Sequence, residues 1–151
     1  MSGQDFLYTI YIRAAPETVW DALREPERTK LFWGWHRNAS DWRPGSRWEH
    51  QDHDDPAAVH VAGEVIVFDP PHRLVLTWGP PDAAAGDDLV SRVSFALTPF
   101  GDAVQLVLHH ADLDPAGLQG MAAGWPVILS SLKTLLETGE PLASTARRWA
   151  E

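Results

Sequence analysis

The sequence predicts an α+β fold: a six-stranded antiparallel sheet curled around one long C-terminal helix, with two short helices after the first strand. Three observations carry this reading. Segments along most of the chain alternate apolar and polar residues, the period of a half-buried strand. Near the C-terminus Trp125, Ile128, Leu129, Leu132, Leu135 and Leu136 recur at helical spacing and make one wide apolar face. The connections between strands are short, which favours antiparallel neighbours, and one face of such a sheet must be covered by the final helix.

Each element has its own local reason. Between Asp5 and Arg13, residues Phe6, Tyr8, Ile10 and Ile12 point one way, as in a half-buried strand. Pro16 suits the first turn of a helix whose apolar stripe is Val19, Trp20 and Leu23. Pro26 ends that helix and starts a second short one, Glu27 to Phe32. An aromatic cluster with a flexible centre follows, Phe32-Trp33-Gly34-Trp35-His36, and Trp42-Arg43-Pro44-Gly45 reads as a turn. Ser46 to Gln51 is a strand with Trp48 and His50 on one face, and Asp52 to Ala58 is an acidic loop. His60 to Phe68 and Arg73 to Gly79 are strands joined at Asp69-Pro70-Pro71-His72. The 80–88 loop is Pro-, Ala-, Gly- and Asp-rich. Leu89 to Thr98 and Val104 to His110 form the last hairpin around Phe100-Gly101-Asp102. Pro126 would cost about 3 kcal/mol inside a helix, so the long helix is expected to begin near Trp125, with Asp114 to Ala123 a separate turn or short helix. Gly139 and Pro141 stop it. The reading is one domain over residues 1–140 and a loose tail over 141–151, where Trp149 has the means to dock.

Composition sets the functional bounds. The chain has 151 residues, a net charge of −9, eight tryptophans and no cysteine. The acidic balance argues against nucleic acid, since phosphate contacts need a basic face. Without cysteine there is no disulfide and no thiolate chemistry. The first five residues lack the basic and apolar parts of a signal peptide, and no apolar run nears the roughly 20 residues that span a bilayer. A cytoplasmic protein without membrane insertion, monomeric or homodimeric, is expected.

A sheet wrapped around a helix leaves a hollow, and large rings favour cores, pockets and interfaces. The candidate ligand wall is Trp33, Trp35, Trp42, Trp48, Trp78 and Trp125, with Leu129 on the long helix. These rings either line a cavity or fill a core. His110 shares a strand face with Leu106 and Leu108, so it is either a polar anchor for a ligand or a core histidine with a satisfied ring; His50 shares the face of Trp48. The 32–36 and 80–88 connections are expected to border the pocket mouth. The run His50-Gln51-Asp52-His53-Asp54-Asp55 has metal-ligand residue types, but consecutive loop residues rarely converge on one ion, and no metal or other cofactor is expected. No Gly-x-Ser-x-Gly elbow, phosphate loop or His-Glu-x-x-His is present, and no catalytic residue is assigned.

The motifs in order resemble the START-like helix-grip (SRPBCC) superfamily, in the branch of the C-terminal domain of the activator of the heat-shock-protein-90 ATPase. The resemblance rests on Ala15-Pro16-x-x-Val19-Trp20-x-Ala22-Leu23, Ser40-Asp41-Trp42-Arg43-Pro44-Gly45 and Gly63-Glu64-Val65-x-x-x-Asp69-Pro70-Pro71-x-Arg73-Leu74-x-x-x-Trp78. Val107-Leu108-His109-His110 and Gly124-Trp125 complete it. It implies the helix-grip fold, whose members bind lipids, hormones or polyketides and in some cases cyclise or hydrolyse them; with no catalytic constellation in the sequence, the expectation is a hydrophobic or aromatic small molecule bound between sheet and helix without catalysis. Two alternatives stand beside this reading: a cyclase or hydrolase acting on a hydrophobic small molecule, and a protein-interaction or chaperone-cofactor-like module. The sequence does not identify the ligand.

Overall fold

The computed structural model describes residues 3–84 and 86–149. Met1 and Ser2, Ala85 of the 80–88 loop, and Ala150 and Glu151 of the predicted tail lie outside the described residues. In chain order the elements are β1 (Gln4–Ile12), α1 (Pro16–Arg24), α2 (Pro26–Phe32), β2 (His36–Ser40), β3 (Arg47–Asp52), β4 (Val59–Asp69), β5 (Arg73–Trp78), β6 (Ser91–Phe100), β7 (Ala103–Leu113) and α3 (Pro115–Thr138). The strands form one open antiparallel sheet in the order β1-β7-β6-β5-β4-β3-β2. α3 crosses one face, where Trp125, Leu129 and Leu132 join Phe95, Leu106 and Leu108 in the core.

The sheet has seven strands, not six. The additional one, β2, pairs with β3 from His36↔Asp52 to Ser40↔Trp48. Its sequence, His-Arg-Asn-Ala-Ser, has no apolar alternation, yet His36 and Asn38 are buried. The alternation is present, but polar groups occupy the inward positions. They are tolerated there because each has a partner, which burial of a polar group requires. His36 Nδ1 meets the Gly34 carbonyl at 2.8 Å, and Asn38 Nδ2 donates to the Leu23 carbonyl at 3.0 Å.

A second correction concerns the last helix. α3 begins at Pro115, eleven residues before Pro126, and runs through it without a break. Asp114 caps the start by accepting from the Gly117 amide at 2.6 Å. The missing bond at Pro126 is outweighed by apolar burial on both sides of it. Trp125 and Leu129 are almost wholly buried, and burying one such side chain contributes about 1.5–3 kcal/mol. Gly139, at φ 90°, closes the helix in the left-handed conformation.

The segment after α3 is docked rather than loose. Thr145 is fully buried; its hydroxyl lies 2.7 Å from Ser131 Oγ and 3.1 Å from the Leu31 carbonyl. The Thr145 carbonyl accepts from the Gly34 amide at 2.9 Å. Gly34 has φ +62°, and a Cβ there would overlap the Trp149 indole, so this glycine supplies both the turn and the space for Trp149.

Where β4 passes from pairing with β3 to pairing with β5, its ladder shifts register between Val65 and Val67. Gly63 sits just before that shift, against the Thr77 backbone. A Cβ at Gly63 would lie 2.0 Å from the Thr77 carbonyl oxygen, which is itself held by the Trp48 indole at 2.7 Å. Gly63→Ala is therefore expected to lower stability by about 1–3 kcal/mol, the range for forcing an extra group into a packed site. Urea denaturation checks this, and an unchanged midpoint would show that the two strands separate more freely than this packing allows.

Candidate functional site

Beneath the first half of α3 lies a pocket of about 540 Å³. Its apolar wall is made by Trp33, which follows α2, Trp78 at the end of β5, and Trp125 and Ile128 on α3. The three indoles pack on one another: Trp33 and Trp78 stack with centroids 6.4 Å apart, and Trp125 meets Trp33 at 5.3 Å and Trp78 at 5.5 Å. The adjoining wall comes from β2, β3 and β4 and carries His36, His50 and His60, with the His50 ring against Trp33 at 4.9 Å between centroids. The rings of His36 and His50 are parallel, with centroids 4.7 Å apart, and His60 meets His36 edge-on at 4.9 Å.

Two of these histidines have a fixed tautomer. A neutral imidazole has one N–H and one lone pair. His36 Nδ1 faces a carbonyl, so it must carry the proton. His50 Nδ1 lies 2.8 Å from Asn38 Oδ1, and the Asn38 amide nitrogen is already committed to the Leu23 carbonyl, so His50 Nδ1 is protonated as well. In both rings Nε2 is left as an acceptor, with no partner among the described residues. His36 and His50 are only 6% and 5% exposed. Burial pushes the pKa of both below the usual histidine value, and for His50 the neighbouring His36 and His60 add to the effect.

The rim is closed by the chain end. Arg148 donates through Nη2 to Asp52 Oδ1 at 2.9 Å, through Nε to Asp52 Oδ2, and through Nη2 to Asp54 at 3.2 Å. Asp52 also accepts from the Asp54 and Asp55 amides. The Arg148 hydrogen bonds hold the Asp52 carboxyl well below the usual carboxylate range. Trp149 completes that side of the pocket. On the helix side Gly120 and Gly124, four residues apart and hence on one face, line the pocket with Met121. A Cβ at either glycine would have no atom within 4 Å.

Of the residues singled out from the sequence, Trp33, His50, Trp78 and Trp125 line this pocket. Trp48 and His110 stand behind Trp78, at 5.4 and 5.5 Å between centroids. Leu129 is wholly buried in the core below. Trp35 lies apart, donating to Asp54 at 3.0 Å under Lys30. Trp42 belongs to another cluster, with Phe68 and Arg24. The ends of the 80–88 loop, Pro80, Pro81 and Asp88, line an adjoining pocket of about 350 Å³, which shares His60, Val61, Trp78 and Met121 with the first. The sequence reading missed His36, His60, Asp52, the two glycines and the Arg148–Trp149 pair. The period-two placement of His36 and Asn38, repeated by His50 and Asp52, was the available signal for the polar wall.

His110 has a different role. It is 0% exposed; its Nδ1 accepts from the Trp125 indole at 3.1 Å, so its proton sits on Nε2 and points at Ser91 Oγ, 2.7 Å away. Ser91 in turn donates to the Trp78 carbonyl at 3.1 Å. A serine nucleophile needs the reverse arrangement, with a histidine lone pair facing its hydroxyl. The Ser91–His110 pair is thus a hydrogen-bonded strut between β6, β7 and α3. Burial pulls the His110 pKa down to about 4, and nearby His109 adds a smaller push. Among the described residues no group of three or more His, Asp or Glu side chains is arranged to hold a metal ion, and no helix is long and apolar enough to cross a membrane.

Comparison with known proteins places these features in context. The family profile named for activator of Hsp90 ATPase homolog 1-like proteins matches residues 13–137. CalU16 from Micromonospora echinospora, solved by NMR, superposes with a TM-score of 0.77 at 22% identity, over 99% of this chain and 74% of that one. The Aha1 dimer from Colwellia psychrerythraea gives 0.71 at 19% identity, over 90% and 98%. DynU16, from the dynemicin biosynthetic locus, gives 0.72 at 20% identity, over 97% of this chain and 51% of that one. At these identities the likeness is one of fold. Among curated proteins, none matches the chain.

The three histidines with depressed pKa values predict how stability depends on pH. In the unfolded chain a histidine takes up its proton near pH 6.5, whereas folded His110 does so only near about 4. Between those values the unfolded state binds more protons, so stability is full above about pH 6.5 and declines as pH falls. The decline is at most about 1.4 kcal/mol per pH unit for each such ring. Thermal unfolding followed across this range should show a steadily falling Tm. A Tm that is flat from about pH 7 to about pH 5 would mean that these rings are not held neutral.

Proposed function

The chain belongs to the family of activator of Hsp90 ATPase homolog 1-like proteins, and from that premise we propose that it binds a planar, largely apolar small molecule without transforming it. The ligand lies against the surface that Trp33, Trp78 and Trp125 form together with His36 and His50, under the first half of α3.

One observation carries the reading. Glycine is about 1 kcal/mol worse than alanine inside a helix. α3 nevertheless has glycine at 120 and 124, at two positions where any side chain would enter empty pocket space. Gly120 is exposed and Gly124 half-buried, so the two glycines flank the open side of the pocket, where a larger side chain would narrow the way in. Keeping it open is what a binding site requires. The cyclase or hydrolase alternative has less behind it. Ser91 and His110 are bonded in the wrong sense for nucleophilic attack, and His36 and His50, with lowered pKa values, are weak bases at neutral pH.

Two variants separate folding from binding. Gly124→Ala should raise stability by about 0.5–1 kcal/mol. Gly124→Leu should keep the fold but fill the pocket and weaken binding of the neutral fluorescent probe N-phenyl-1-naphthylamine by roughly tenfold or more, the loss expected when a ligand must be excluded from its contacts. Emission titration measures this. Unchanged affinity in a folded Gly124→Leu protein, or no saturable binding to the wild type, would refute the proposal.

A further inference from the structure

We infer that the ligand presents a hydroxyl donor to the Nε2 atoms of His36 and His50, and that it carries no carboxylate. The inference rests on the binding role proposed above and deepens it by naming the ligand's polar end. A wall of tryptophans alone would accept any flat apolar molecule. Two buried imidazoles narrow the choice, because each has one nitrogen already bonded and one left over. Each ring is more than nine-tenths buried, and its Nε2, without a partner among the described residues, loses its water when a ligand enters. Leaving it unpaired is unfavourable, whereas a ligand O–H that meets it restores the bond. Burial keeps both rings neutral, so they offer lone pairs and no free N–H to the pocket.

Charge on the rim argues in the same direction. Arg148 is the basic group that lines the pocket, and it is committed to two carboxylates, Asp52 and Asp54. This trio sums to one negative charge. A ligand carboxylate would meet imidazole lone pairs on one side and Asp52 on the other. It would be repelled, while a neutral hydroxyl would not.

Three probes of similar size test this: 2-naphthol, 2-methylnaphthalene and 2-naphthoate, titrated by tryptophan quenching at neutral pH. The wild type should hold 2-naphthol roughly fivefold more tightly than 2-methylnaphthalene, about the net worth of one neutral hydrogen bond, and 2-naphthoate most weakly. In a His36→Phe, His50→Phe protein the order of the two neutral probes should reverse. Because those changes strand Asn38, a second readout uses the wild type alone: the ¹⁵N resonances of His36 and His50 Nε2 should move on adding 2-naphthol and stay nearly fixed with 2-methylnaphthalene. Equal or reversed affinities of the neutral probes, tightest binding of the naphthoate, or static Nε2 resonances would overturn the inference while leaving apolar binding intact. Failure of every probe to bind would overturn the binding role beneath it.

Discussion

The Trp125 indole N–H finds its partner in the interior at Nδ1 of His110, and the geometry of the site follows from that bond. It ties the middle of α3 to β7 at one depth and one rotation. It fixes the His110 tautomer, and through Ser91 it reaches the Trp78 carbonyl on β5. Trp125 and Trp78 are thereby set as the floor on which Trp33 packs. After this point the helix packs into the core through Leu129 and Leu132; before it the helix bears Gly120 and Gly124, which line the pocket. One buried hydrogen bond thus marks the boundary between the part of the molecule packed for stability and the part left open. Such a bond in a low-dielectric interior is costly to lose, because its donor would remain unsatisfied.

The adjoining wall has the complementary logic. β2 and β3 turn polar side chains inward, and every one of them with a fixed position has a local partner: the Gly34 carbonyl, the Leu23 carbonyl through Asn38, or Arg148. The chain end contributes directly. Thr145, Arg148 and Trp149 strap the α2–β2 connection and close the rim, and Gly34 leaves the space for it. An apolar floor, two neutral imidazole acceptors and the Arg148–Asp52 ion pair thus border one pocket.

Much of the fold was legible because it is written in apolar periodicity. Val93, Phe95 and Leu97, or Val104, Leu106 and Leu108, alternate as strands, and these residues are buried. β2 was hidden because its inward residues are His36 and Asn38; a pattern of hydrophobicity cannot register a strand whose buried face is polar. Pro126 misplaced the start of α3 because its local penalty is visible in sequence, whereas the long-range burial that offsets it is not. For the pocket, Trp78 on its strand and Trp125 on its helix lie in the apolar wall. Trp78 lines the pocket and Trp48 packs against it at 5.4 Å between centroids, a distinction of tertiary packing that strand parity alone does not carry. The contribution of Arg148 and Trp149 spans some 96 residues of sequence to Asp52, and no local pattern announces it.

The central claim is that the pocket wall offers neutral imidazole lone pairs whose direction is set by the fold. Long-range ¹H–¹⁵N correlation of the histidine rings in the free protein at neutral pH tests it most directly. The account predicts protonated Nδ1 and bare Nε2 for His36 and His50, and the opposite tautomer, protonated at Nε2, for His110. Averaged tautomers, or an imidazolium signature at His36 or His50, would contradict it.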